Sequence, residues 1–454
     1  MEKLKYERPV IKKMNTGLMN KFGTRTEYEP VTHIEGIPVK SLINDFGSPL
    51  FVLSEKQIRH NFQNANRIFK TRYPKVQFAW SYKTNYLNAV CNIFHQEGSW
   101  AEVVSGFEYD KAIGNGVPGN KIIFNGPDKS DKELLLAARN NSMIHIDHID
   151  ELFTLIDLSE KHNLKPRVAI RVNMDTGVYP KWDRFGFNFE NGQAWNAIVR
   201  IINDKNLELV GLHCHIGTFM LAPSAYAVAA TKLCELAFSI KAKYSKTIQY
   251  LDLGGGFPSV NTLKGAYLPG SDTVPSIDLF ADAITSVILG FGFKQEDLPL
   301  LILETGRALI DDAGYLLGTV LANKRLSDGR RATILDFGVN TLFTSFWYDH
   351  KISPAQEFGE YTEDMVLYGP LCMNIDIIRE SVNLPLLEKG NNVVVHKVGA
   401  YNMTQWMQFI TLRPNVVLID SSNATHIIRK SETLDNIQLN EQLPVHLNKI
   451  DLKL

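Results

Sequence analysis

VQFAWSYK, residues 76–83, is a short apolar and aromatic run that ends on a lysine. Its length and composition predict a buried strand, and Lys83 puts a charge where strand gives way to loop. The same shape returns in LVGLHCHIG (209–217), IQYLDLGGG (248–256) and LLILETG (300–306), each closing on histidine, glycine or a carboxylate. Further strand candidates are PLFVLS (49–54), WAEVVS (100–105), KIIFNG (121–126), MIHID (143–147) and RVAIRVN (167–173). Between them, stretches such as SEKQIRHNFQNANRIFKTRY (54–73), DKELLLAARNN (131–141) and IDELFTLIDLSEKHN (149–163) carry Leu, Ile and Phe at helical spacing. The alternation over residues 50–310 predicts repeated βα units. A closed (β/α)8 barrel and an open doubly wound sheet both produce it. The polar residues separate the two: Lys83, His215, the glycines at 254–256 and Glu304 each end a different strand, on the face where barrels build active sites.

After about residue 312 the rhythm changes to strands with little helix: YLLGTVLANKR (315–325), ATILDFGV (332–339), NNVVVHKVGAY (391–401), NVVLIDSS (415–422) and ATHIIRK (424–430). The expected organisation is an N-terminal segment, 1–45, contributing an edge strand to the β domain, a barrel over 46–311, and an antiparallel β domain over 312–454.

With 454 residues, 44% hydrophobic and 21% charged, the composition is that of a globular protein. Lys plus Arg, 48, nearly equals Asp plus Glu, 49, so neither nucleic acid nor an anionic membrane is the expected partner, and a small molecule is. Cys91, Cys214, Cys234 and Cys372 lack ligand or disulfide spacing, which predicts no structural metal and fits a reducing cytoplasm. The charged opening MEKLKYERPV does not read as a secretory signal, and no membrane span is expected.

Each candidate residue has an ordinary and a functional reading. Lys83 alone is a snorkelling strand-end lysine, or a desolvated amine of lowered pKa suited to a Schiff base. Gly254, Gly255 and Gly256 make either a cramped turn or a backbone cradle for an anion, without the dinucleotide-binding GxGxxG spacing. His213 and His215 lie two residues apart on one strand face. With no third ligand evident they read as satisfied barrel histidines, while a flat imidazole can also stack on an aromatic ring and Thr218 can donate to a phosphate. Glu304 and Arg307 in ETGR form a local ion pair, or a carboxylate for a pyridine nitrogen beside a guanidinium. Cys372 is a small hydrophobe or a loop thiol able to give a proton, and Tyr401 a half-buried tyrosine.

The order of these motifs resembles the barrel-type pyridoxal-phosphate decarboxylases, the diaminopimelate decarboxylase group above all. The resemblance runs from GSPLFVLSEKQI (47–58) to RKSETLDN (429–436) through WSYKTN, RVNMDTG, RFGF, GLHCHIGT, LDLGGGFP, ETGR, GPLC and VGAY. It implies an alanine-racemase-type barrel with a C-terminal β domain, a homodimer with shared active sites, and pyridoxal 5′-phosphate as cofactor. It further implies that Lys83 forms the Schiff base, that His215 stacks on the ring and that Glu304 faces the pyridine nitrogen. Thr218, Gly254, Gly255, Gly256, Arg307 and Tyr401 match cofactor contacts, the last two also substrate contacts. Cys372 matches a proton donor from the partner subunit. Racemisation on the same fold and a non-catalytic regulator are the competing readings.

Two departures bear on substrate. Where the group reads Cys-Glu-Ser this chain has Cys372 and Met373, and where it has an Arg-Pro pair this chain has Thr344 and Ser345 in GVNTLFTSFWYDHK (338–351). Tyr348 matches a substrate-contacting tyrosine. A distal pocket without that carboxylate and guanidinium loses the charge-assisted bonds that recognise a zwitterionic end, so the expected substrate is diaminopimelate or a related amino acid with an altered distal group.

Overall fold

The computed structural model describes residues 28–359 and 361–447. The first strand of the larger framework, β1 (Leu50–Ser54), is buried along its whole length. Ser54 caps the following helix α1 (Glu55–Lys70) by accepting the Gln57 N–H at 3.1 Å, which stops the strand and starts the helix at one residue.

Eight parallel strands then follow: β2 (Val76–Ser81), β3 (Trp100–Val103), β4 (Ile122–Phe124), β5 (Met143–Ile146), β6 (Arg167–Asn173), β7 (Glu208–His213), β8 (Tyr250–Asp252) and β9 (Leu300–Thr305). Each pairs with its neighbours in chain order, and β9 pairs back onto β2, so the sheet closes into a barrel. The closure settles the choice that alternation alone left open.

Side chains alternate along each strand, so the barrel interior is built in layers. Ala79, Ile123, Met143, Ala169, Val210, Tyr250 and Ile302 form one buried apolar layer. Two residues further along their strands stand Ser81, Asn125, His145, Arg171, Asp252 and Glu304. Glu102 joins them from β3, and this second layer is polar. The outward residues pack beneath helices; Phe62, Phe69, Phe78 and Phe94, for example, meet edge to face. Helices begin where the sequence carries caps, as at the Ser130–Glu133 capping box of Asp131–Arg139.

The second sheet is built from β1 with β10 (Gly314–Arg325), β11 (Arg331–Leu335), β12 (Ile352–Pro354), β13 (Thr362–Tyr368), β14 (Ile377–Pro385), β15 (Asn392–His396), β16 (Asn415–Ile419) and β17 (Thr425–Arg429). This second sheet departs from the expected antiparallel one in two pairings. β16 runs parallel to β1 and β11 parallel to β13, so it is mixed. The first of these comes from β1 itself. Its motif was expected as a barrel strand, yet it sits between β10 and β16, joining residues far apart in sequence. The described part of the N-terminal segment adds no edge strand to this sheet. A two-strand hairpin and the helix Val39–Phe46 lay Ile34, Val39 and Leu42 on a face formed by Leu50, Val52, Leu317, Val394 and Val417.

Candidate active site

A cavity of about 150 Å³ opens at the C-terminal end of the barrel, lined by residues that include Lys83, His215, Thr218, Glu304, Arg307 and Tyr401. Lys83 lies in the 3-10 turn directly after β2, its side chain 36% exposed towards this space. Its Nζ donates to both oxygens of Glu102, at 2.9 and 2.8 Å. Glu102 is wholly buried and also accepts from Ser81 and, at 3.3 Å, from Asn125. Burial alone would lower the Lys83 pKa, but Glu102, then Glu304 and Tyr401, outweigh it and hold the ammonium above the ordinary lysine value. The expectation of a depressed amine is therefore corrected: a buried carboxylate keeps the proton on. Glu102 escaped sequence reasoning, although a glutamate inside the apolar run WAEVV was its visible signal.

Glu304 stands in the polar layer, where Asn125 donates to its Oε1. His213 Nε2 is 3.4 Å from that oxygen and His215 Nδ1 is 4.0 Å from Oε2. The two histidines do not share one role. His213 ends β7 and is buried with neither ring nitrogen hydrogen-bonded, so it is not the satisfied histidine expected. His215 lies past the strand end with a side chain 16% exposed, and its Nδ1 accepts the Gly255 N–H at 3.1 Å. Burial first, then the Arg171 guanidinium, pulls both imidazoles well below the usual histidine pKa, so both are neutral. A third candidate ligand does exist: His145, His213 and Glu304 bring ligand atoms within 4.8 Å of one another. Lys129, Arg171 and Lys83 stand around this group, each paired with a carboxylate, Glu151, Asp147 and Glu102 in turn.

The triple glycine is a close-packed wall. A Cβ on Gly255 would stand 2.2 Å from the Glu304 carbonyl oxygen, and one on Gly256, at φ +90°, 2.2 Å from that of Gly217. Gly255 and Gly256 reach the cavity and Gly254 does not; its N–H is spent on Asp252 Oδ1 at 2.8 Å. The expected three-glycine cradle is thus two residues wide, joined by Gly306 from the end of β9.

Arg307 is held by Thr218 Oγ1 at 2.9 Å and by the Tyr348 hydroxyl, its guanidinium 4.7 Å from the Tyr401 ring centre and 5.6 Å from that of Phe219. Tyr401 comes from the second sheet's side of the molecule. Its N–H donates to the Thr84 carbonyl at 2.8 Å, and Asp311 anchors the preceding Ala400 N–H at 3.0 Å. Burial raises Asp311 to about 6 despite Arg307 nearby.

Three more expected residues, besides Gly254, lie outside this cavity. Tyr348 is buried behind Arg307, Met373 packs half-buried against the core, and Cys372 is exposed. Thr344 is turned inward, with Oγ1 2.8 Å from His350 Nε2 and 3.0 Å from Asn402 Oδ1. Glu102, Asn125, Asp252, Arg171 and Trp182 are the residues near the site that motif reading passed over.

Residues 55–311 match the family described as pyridoxal-dependent decarboxylase, pyridoxal binding domain, which spans more than half the chain. The chain belongs to the pyridoxal-dependent decarboxylases and is a carboxy-lyase of the diaminopimelate decarboxylase type. The diaminopimelate decarboxylase of Methanocaldococcus jannaschii is 30% identical over 432 residues, covering 91% of this chain and 95% of that one. That of Bacillus subtilis is 28% identical over 420 residues, covering 89% and 94%. A crystal structure of the M. jannaschii enzyme superposes with a TM-score of 0.84 at 28% identity, covering 91% of this chain and 96% of the other, and a second is a co-complex with L-lysine.

Proposed function

We propose that this chain decarboxylates an α-amino acid with pyridoxal 5′-phosphate anchored on Lys83. The observation that carries this reading is the single cavity shared by Lys83, His215, Thr218, Glu304, Arg307 and Tyr401. The chemistry of these groups fits the cofactor part by part. An aldehyde calls for an amine, which is Lys83. A phosphate calls for N–H, hydroxyl and guanidinium donors, which Gly256, Thr218 and Arg307 supply, while Gly255, its N–H held by His215, lines the wall. A pyridinium nitrogen calls for a carboxylate, which is Glu304, and a neutral imidazole such as His215 can lie flat on a ring. Bound there, the cofactor supplies an electron sink for the pair released as the α-carboxylate leaves as CO₂.

The protein's own residues do the rest. Glu102, in contact with Lys83 Nζ, takes the proton that the amine must shed before it can bond to carbon. Arg307, clamped by Thr218 and Tyr348, offers a fixed guanidinium to an anionic group. The Cys372 thiol, exposed and outside its own chain's cavity, is proposed to serve the partner's site in a homodimer and to protonate the α-carbon, giving an amine.

The substrate proposed keeps the α-amino acid head of diaminopimelate and carries an altered distal group, because Met373 brings no charge and Thr344 is consumed by His350 and Asn402. Two measurements test the whole. Lys83→Ala is expected to abolish both the cofactor's protein-bound visible absorbance and CO₂ release; retention of both overturns the assignment. CO₂ release across meso-diaminopimelate, lysine, ornithine, arginine and acylated or carboxylated analogues is expected to peak away from meso-diaminopimelate. Efficient turnover of that compound alone overturns the substrate proposal.

A further inference from the structure

Beneath the cavity floor two buried carboxylates stand on neighbouring strands, and among the described residues neither pairs with a lysine or arginine. Asp252 ends β8, is wholly buried and does not line the cavity. Its Oδ1 accepts the Gly254 N–H at 2.8 Å, while its Oδ2 has no partner. Asp252 stands opposite Ile302 in the register of β8 and β9, so Glu304, two residues further along β9, faces the same interior beside it, and each carboxylate acts on the other. Two buried acids so placed cannot both be ionised, because each charge would lose water and face the other in a medium of low dielectric. A proton between them turns repulsion into a hydrogen bond and satisfies the orphaned oxygen.

We propose that Asp252 carries that proton on Oδ2 and donates it to Glu304, so that the pair holds one negative charge and Glu304 bears it. The assignment within the pair follows from the donors. Glu304 accepts from Asn125 and sits near His213 and His215, whereas Asp252 has only a backbone N–H. Glu102 on β3 adds a further negative field at Asp252, and burial with Glu304 raises the Asp252 pKa well above the usual carboxyl range. Asp252 is then a positioning residue. It fixes the carboxylate of Glu304 from below and leaves that charge available to the cavity. This use of the charge rests on the proposed function; the shared proton does not.

The test separates the two. Infrared spectra of the cofactor-free enzyme are taken at about pH 8, where Asp311, raised to about 6, and Glu108, raised to about 7, are ionised. A protonated-carboxyl C=O stretch is expected, moving when aspartate side chains carry ¹³C, unmoved when glutamate side chains do, and absent from Asp252→Asn. No such band, or one that moves only with labelled glutamate, overturns the proposal, and the labelled wild-type protein needs no variant to give this answer. In the loaded enzyme, Asp252→Asn keeps a donor facing Glu304 and is expected to hold kcat within about threefold. Asp252→Leu, of similar shape without a donor, is expected to lose about tenfold or more in kcat, with little change in KM. Equal behaviour of the two folded variants overturns the positioning role. Loss of the visible cofactor band in wild type would sink the proposed function while leaving the infrared result standing.

Discussion

At the scale of single residues, the site is a set of charges placed in contact before any ligand arrives. The Lys83 ammonium is held by Glu102 at 2.8 Å, so the amine waits protonated and paired. Glu102→Gln keeps the shape and removes the charge. Because the carboxylates raise the Lys83 pKa against the pull of burial, the variant is expected to lower it. Its pH–rate profile for cofactor attachment should shift to lower pH by about one unit or more, measured by stopped-flow absorbance. An unmoved profile would show that Glu102 is not the group controlling the proton. Lys83 and Glu304 were legible in the sequence because each ends a strand on a motif. Glu102 and Asp252 were not, because a carboxylate in a barrel strand says nothing of its neighbours until the barrel closes.

At the scale of elements, strand alternation explains how the floor is made. Seven of the eight strands contribute an apolar residue to one layer and, two positions on, a polar residue to the next; in β7 Val210 is followed by Leu212. The polar layer of one strand is therefore completed only by its neighbours. One of the contacts between the barrel and the Tyr401 segment is made by a buried acid. Asp311 accepts from Ser259, Asn261 and the Ala400 N–H. Its folded pKa of about 6 lies above the unfolded value, so the native state binds this proton more tightly. The resulting stability is full below about pH 4 and is lost as pH rises through about 6. It amounts to roughly 3 kcal/mol at most. Asp311→Asn is expected to lose this part of the pH dependence. Its melting temperature should fall less than the wild type's between those values, and a fall of equal size would refute the assignment. Parallel pairing of β1 with β16 could not be read ahead of the structure, since an apolar strand such as PLFVLS carries no mark of its partner.

At the scale of the whole molecule, the proposed homodimer accounts for Cys372 standing outside the cavity of its own chain. If each site takes Lys83 from one subunit and Cys372 from the other, mixing inactive Lys83→Ala with Cys372→Ala after subunit exchange is expected to restore about a quarter of wild-type activity, since half the dimers then carry one intact site. No recovery in a mixture shown to exchange would refute shared sites. The βα rhythm, the second strand-rich region and the ordered motifs from Lys83 to Tyr401 were determined by the sequence itself, because they rest on local periodicity and on residues fixed at strand ends. The tertiary structure alone decided that the sheet closes, that β1 leaves the barrel for the mixed sheet, and that Thr344 turns away from the cavity. It alone brought Glu102, Asp252 and Glu304 into one buried layer. Those outcomes depend on which strands meet, and contact between residues so distant in the chain is set by packing of the whole core.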